Sequence, residues 1–216
     1  MKINVKQLTV GKMQTNCYLV WGETRESIII DPGEDAEYII QSILDLSLTP
    51  KAILATHGHF DHLMAVLELK LAFSIPFYIH KKDAFLLSRM RSSAKHFLDF
   101  DPGPAPKADF YLKEKSILQI SNLQIETIGT PGHTPGSVSF YLHSRSADSI
   151  FVGDLLFSDA STGRTDFLYS DKNKLNKSIC KILKFSPETT IYPGHGNQFQ
   201  LKFIEYKNKN RQEKPR

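Results

Sequence analysis

Residues 55–62 read ATHGHFDH and follow the apolar residues Ala52, Ile53 and Leu54. Three histidines and an aspartate, His57, His59, His62 and Asp61, lie within six residues. The segment 51–57, KAILATH, reads as a buried strand, so the polar cluster starts where that strand stops. His57 and His59 share one metal if the chain leaves strand geometry between them, and Gly58 supplies that freedom. Asp61 and His62 fall at the entrance to a helix suggested by Leu63, Val66, Leu67 and Leu71, facing the same cavity. Four ligand-type side chains in so short a loop suit two ions better than one tetrahedral zinc.

The rest of the chain alternates strand-like runs with helical spacings. Strands are expected over 17–21, 27–31, 76–80, 116–120, 123–129, 137–143, 149–154 and 189–196, and helices over 35–48, 81–90 and 172–185. Residues Arg91 to Ala108 are rich in proline and small side chains and read as a long loop bordering the pocket. Strands come in groups with helices between the groups, which favours a layered α/β sandwich over a strictly alternating doubly wound sheet.

Composition sets the outer bounds. A chain of 216 residues with 41% hydrophobic residues can bury a sizeable core. One globular domain over 1–206 is expected, followed by a basic tail over 207–216. The net charge of +4 is small and concentrated near that tail, so nucleic acid is a weak candidate partner. No signal-like or membrane-spanning run is evident, and a cytoplasmic protein is expected. Cys17 and Cys180 read as buried free thiols rather than a disulfide pair.

Three later motifs enlarge the ligand set: His133 in GTPGHTPGS, Asp154 in FVGDLLF and His195 in YPGHGNQF. Each ends or follows a β-rich run beside glycine. Together with the first cluster they give five histidines and two carboxylates, enough for two ions with an open position between them. His80, His96 and His143 lie outside the motifs and read as structural or surface residues. Asp31, after Ile30, reads as a residue supporting the site.

In this order, T-H-x-H-x-D-H, P-G-H-T-P-G-S, G-D and G-H, the motifs closely resemble those of the metallo-β-lactamase superfamily, from about Leu8 to Phe199. The resemblance implies an αββα four-layer sandwich with metals at one edge. It also implies His57, His59 and His133 on one metal, Asp61, His62 and His195 on the other, and Asp154 bridging. Two divalent ions are expected, zinc first, with iron or manganese as alternatives. Zinc lowers the pKa of bound water to roughly 7, which would provide a hydroxide nucleophile that Asp61 helps to orient.

The stretch 153–167, GDLLFSDASTGRTDF, resembles the short bacterial glyoxalase II-like hydrolases. That resemblance implies a thioesterase acting on a glutathione-like small thiol ester. Arg164, as a carboxylate clamp, Asp166 and Asn197 are the expected substrate-binding residues, standing where the longer glyoxalase II enzymes carry lysine, tyrosine and tyrosine; the alternative for Arg164 and Asp166 is an ion pair with each other that fixes the loop. The longer glyoxalase II enzymes carry an added C-terminal helical domain for which little chain remains after Phe199. Alternatives are a mononuclear iron persulfide dioxygenase using His57, His133 and Asp154, a metal-dependent nuclease, and a promiscuous β-lactamase. A small-molecule substrate and a monomer or dimer are expected.

Overall fold

The computed structural model of the protein describes residues 2–145 and 147–204. The expected tail at 207–216 lies outside the described residues. Strands β1 (Asn4–Val10), β2 (Thr15–Trp21) and β3 (Glu26–Ile30) form an antiparallel meander. The same sheet continues in parallel through β4 (Thr49–Leu54), β5 (Phe77–His80) and β6 (Phe110–Leu112). Parallel neighbours need crossover connections. Here these are α1 (Ala36–Asp45), α2 (Val66–Phe73) and α3 (Ala84–Leu98).

A second sheet is built from β7 (Ile117–Ile120), β8 (Leu123–Gly129), β9 (Val138–Leu142) and β10 (Ser149–Gly153), all antiparallel. Helix α4 (Lys172–Ile182) then leads into β11 (Thr190–Pro193), parallel to β10, and β12 (Phe199–Gln200) closes the edge. Each six-stranded sheet carries its strands in chain order.

Side-chain alternation explains the layering. Successive residues of a strand face opposite sides of the sheet. In β2, Cys17 and Leu19 join the apolar cluster under α1, α2 and α3, while Tyr18 and Val20 join the cluster between the sheets. In β10, Phe151 points into the inter-sheet cluster, and Ile150 and Val152 pack with Leu175 and Ile182 of α4. Three apolar layers therefore separate helices, sheet, sheet and helix, which is the expected αββα sandwich. Strands β2, β3 and β10 are covered on both faces, which is why they read as nearly continuous apolar runs. No helix among the described residues is long and apolar enough to cross a membrane.

Three expectations need correction. Helix α3 does not stop near Met90 but runs to Leu98, so the expected loop begins only at Asp99. The Ser92 and Ser93 pair suggested a break, yet the Ser92 hydroxyl bonds back to the Arg89 carbonyl (2.9 Å), and Met90 and Ala94 bury the inner face. Asp99, at φ 51°, ends the helix. His96 consequently lies on the helix rather than in a loop. Cys17 is buried as expected, but Cys180 is exposed, because α4 turns that face to solvent. Strands β1 and β6 carried too weak an alternation to be singled out.

Candidate metal centre

The ends of β3, β4, β8, β10 and β11 meet at one edge of the sandwich and deliver Asp31, the 57–62 loop, the 130–137 loop, Asp154 and His195 respectively. The two sheets are joined there. Asn16 N–H donates to the Gly194 carbonyl (2.8 Å), and the Tyr18 hydroxyl donates to the Pro193 carbonyl (2.6 Å).

Each histidine of the site has one ring nitrogen engaged outward. His133 Nδ1–H donates to the Arg164 carbonyl (2.9 Å), His62 Nδ1–H to Asp31 Oδ2 (3.1 Å), and His195 Nδ1–H to the Gln14 carbonyl (3.3 Å). The Thr56 hydroxyl gives its proton to Asp31 (2.6 Å) and so accepts from His57 Nδ1 (3.0 Å). His59 is reversed, with Nε2 on the Tyr169 hydroxyl (2.9 Å). These partners fix which ring nitrogen of each histidine faces outward, and the remaining nitrogens point inward.

Inward, His59 Nδ1 lies 3.2 Å from His57 Nε2 and 2.8 Å from His133 Nε2. Three lone pairs at such separations suit a cation and do not suit each other. A second group gathers beside it: Asp61 Oδ2 is 3.6 Å from His62 Nε2 and 3.4 Å from His195 Nε2. Asp154 faces both groups. Its Oδ1 is 3.5 Å from His62 Nε2 and 3.6 Å from His195 Nε2, and its Oδ2 is 3.5 Å from His133 Nε2. His62 Nε2 and Asp154 Oδ1 are buried without a hydrogen-bond partner. A buried polar atom left unpaired is costly, and two of them side by side in a ring of ligand atoms fit a divalent ion. Asp31, His57 and His62 also lie close together, but the hydrogen bonds above already satisfy Asp31 and the facing ring nitrogens.

Charge follows the same division. Burial, then the neighbouring imidazoles, hold His57 well below its ordinary value, and burial pushes His59 down to about 3. Burial also opposes charge on His62, but Asp61, Asp154 and Asp31 outweigh it and push that ring up to about 10. Burial disfavours a charged Asp61, yet His62 and His195 hold its carboxyl below the usual range. His195 is raised because its carboxylate neighbours outweigh burial. His57 and His59 are held neutral, whereas His62 and His195 hold positive charge between carboxylates.

Glycines allow this density. Residues two apart on an extended chain already share a face, and Gly58 does not adopt positive φ, so its expected conformational role is not the operative one. Room is. A Cβ at Gly58 would come within 2.8 Å of Leu86 Cβ, and one at Gly194 within 2.2 Å of Asp154 Oδ1.

The seven expected ligand residues converge, and Asp31 supports His62 as expected. Arg164 lines the adjoining cavity, but its guanidinium is forked onto Asp166 (2.7 and 2.6 Å). Asp166 and Asn197 are not among the cavity-lining residues, and Asn197 is exposed. His80 and His143 lie apart from the cluster, His143 on Asp148 (2.8 Å). Sequence reasoning missed Tyr169, Thr15 and Asp83. Thr15 donates to Asp61 Oδ2 (3.2 Å). Asp83 is fully buried and accepts from Gly58 N–H (2.9 Å), Gly136 N–H (2.6 Å) and the Thr134 hydroxyl (2.6 Å), tying the His57 and His133 loops together. None of the three sits in a recognisable motif.

The cavity encloses about 450 Å³ and reaches from the ligand cluster to an apolar wall that includes Phe60, Phe97, Phe157 and Phe167. Such a volume suits a small-molecule substrate.

Comparison with known proteins agrees with this geometry. The metallo-beta-lactamase superfamily model matches residues 10–195. The hydroxyacylglutathione hydrolase GloC of Haemophilus influenzae is 36% identical over 203 residues, covering 90% of this chain and 92% of that protein. The crystal structure of BLEG-1 B3 metallo-beta-lactamase superposes with a TM-score of 0.86 at 37% identity, covering 94% of this chain and 97% of that one. TTHA1623 in a di-iron-bound form superposes with a TM-score of 0.82 at 35% identity, covering 94% and 97%. The ligand order, the four-layer fold and these matches agree: the chain belongs to the metallo-β-lactamase superfamily.

Proposed function

We propose that the protein is a binuclear metal-dependent hydrolase that cleaves an acyl thioester of a small, glutathione-like thiol. The observation that carries the binuclear reading is Asp154, whose two oxygens face separate ligand groups. The thioester is supported by the hydroxyacylglutathione hydrolase among its relatives. His57, His59 and His133 would hold one ion, Asp61, His62 and His195 the second, with Asp154 between them. Zinc is the first candidate metal, and the di-iron form of a relative supports iron as the alternative.

Bound divalent ions supply Lewis acidity, lowering the pKa of water and stabilising negative charge on a carbonyl oxygen. The chain supplies the rest. Asp61, oriented by the Thr15 hydroxyl, is the carboxylate placed to align a water and take its proton. Asp31, Thr56, Tyr169 and the Arg164 and Gln14 carbonyls lock the imidazoles so that no reorganisation is needed at the moment of reaction. The phenyl rings of the wall exclude bulk water and accommodate an acyl chain. Zinc-loaded protein is expected to turn over S-lactoylglutathione at least about a hundredfold faster than its Asp61→Ala variant. Equal rates would sink the thioesterase reading.

Lactam hydrolysis is a second reading, favoured by the likeness to a B3 metallo-beta-lactamase. Turnover of a chromogenic cephalosporin above that of S-lactoylglutathione would put it first. A mononuclear dioxygenase would use only His57, His133 and Asp154, and leaves the clustering of Asp61, His62 and His195 without a role.

Cation binding is expected to release protons. His62, raised to about 10, carries its Nε2 proton through the neutral range in the cation-free protein, and ligation requires that proton to leave. Because a raised pKa means the proton competes until pH exceeds it, metal affinity should climb as pH rises from 6 to 9. Zinc titration in weakly buffered dye solution should show about one to two protons released per chain at neutral pH. Uptake without acidification would refute the assignment.

A further inference from the structure

The pocket-facing side of α3 is a single stripe. Leu86, Arg89, Ser93 and Phe97 all line the cavity, at intervals of three, four and four residues, the spacing of one helix face. Phe97 closes one end by stacking on Phe60, with ring centroids 5.7 Å apart and planes within 2°.

Arg89 differs from the arginines around it. Arg91, two residues on, is forked onto Asp101 (2.7 and 2.6 Å), and Arg164, across the cavity, onto Asp166 (2.7 and 2.6 Å). Both guanidiniums are already neutralised by carboxylates. The Arg89 guanidinium has no carboxylate partner among the described residues. It lies over the Phe85 ring, with Cζ 5.5 Å from the centroid, and its charge acts on the nearby Tyr169 hydroxyl. That face contact leaves the N–H edges free for a planar anion.

Position adds to this. Phe85 meets Tyr169 at 5.4 Å, and Tyr169 meets His59 at 6.1 Å while bonding its Nε2. A continuous ring wall thus runs from a candidate metal ligand to the free guanidinium.

We infer that Arg89 anchors a carboxylate on the thiol half of the substrate, so that the protein selects anionic over neutral thioesters. The substrate class rests on the thioesterase reading, whereas the anchor rests on the geometry of α3. Arg89 is a specificity residue, remote from the bond that breaks. Arg164, held by Asp166, fixes its own loop and the His133 ring through its carbonyl.

Two probes test this by calorimetry on zinc-loaded protein: S-hexylglutathione, which bears free carboxylates, and its dimethyl ester. Wild type should prefer the acid. Arg89→Met should weaken the acid by about tenfold, in the range of one exposed charge-assisted contact, and leave the ester within about twofold. Methionine keeps the helix and the packing on Phe85, and Arg89→Lys should restore part of the loss. Equal change for both probes, no change for either, or failure of wild type to bind the acid would overturn the anchor.

Turnover separates the two claims. S-lactoylglutathione and the neutral S-lactoyl-N-acetylcysteamine are assayed with wild type and Arg89→Met. Arg89-dependent binding with neither thioester hydrolysed keeps the anchor and removes the thioesterase. Hydrolysis of both, with KM unchanged in the variant, keeps the thioesterase and removes the anchor.

Discussion

Asp154→Ala is expected to lower kcat/KM by at least about a thousandfold, equivalent to about 4 kcal/mol of lost transition-state stabilisation. The reason is geometric. Among the described residues Asp154 is the side chain whose two oxygens approach both ligand groups, at 3.5 Å from His62 Nε2 through Oδ1 and 3.5 Å from His133 Nε2 through Oδ2. On the proposed assignment, its removal takes a ligand from each candidate ion at once. Elemental analysis should show metal content falling from about two ions per chain to one or fewer. The fold should survive in the metal-free state, since Oδ1 makes no hydrogen bond to lose. A variant that keeps both ions and its activity would refute the bridging role.

Asp83→Ala should have the largest effect on stability. It leaves the Gly58 and Gly136 amides and the Thr134 hydroxyl without their acceptor inside the protein. At about 1–3 kcal/mol for each unsatisfied donor, with partial relaxation, the cost is about 3–5 kcal/mol. For a chain of this size that is a drop in melting temperature of about 10 °C. Metal affinity should fall with it, because the loops carrying His57 and His133 lose their shared tie. Asp83→Asn, which keeps one carbonyl acceptor, should fall between. Thermal denaturation of the metal-free proteins is the measurement, and an alanine variant within 1 kcal/mol of wild type would remove Asp83 from the account.

Asp83 also shows what was legible in the sequence and what was not. The candidate metal ligands stood out because histidine and aspartate crowd beside glycine at strand ends, a composition that core packing alone does not call for. Asp83 stands directly before α3 and resembles an ordinary helix N-cap, yet it makes no side-chain cap bond. Its partners lie 25, 51 and 53 residues away, and a local reading has no access to such separations. Tyr169 escaped for the same reason. It reaches His59 across 110 residues. The fold class was legible because fully covered strands read as apolar runs separated by amphipathic helices. The length of α3 was not, since its second half is specified by burial of Met90 and Ala94 against the first sheet, which outweighs two serines of weak helix preference.

The strand order within the sheets bears on how the chain is made. Every strand of the first sheet lies between residues 4 and 112, and every strand of the second between 117 and 200. The first sheet and its three helices can therefore be assembled at the ribosome before the second half has been synthesised. Until that half docks, Tyr18, Val20, Ile28, Ile30 and Leu54 face water rather than their partners Ile125, Phe140 and Phe151. A nascent chain that has emerged only to about residue 112 is then a half-sandwich with one bare apolar face, the species most exposed to aggregation and to chaperone capture. The candidate metal ligands divide across the same boundary, with His57, His59, Asp61 and His62 emerging first and His133, Asp154 and His195 last. On the proposed assignment, neither candidate ligand group is complete until the second sheet has been synthesised.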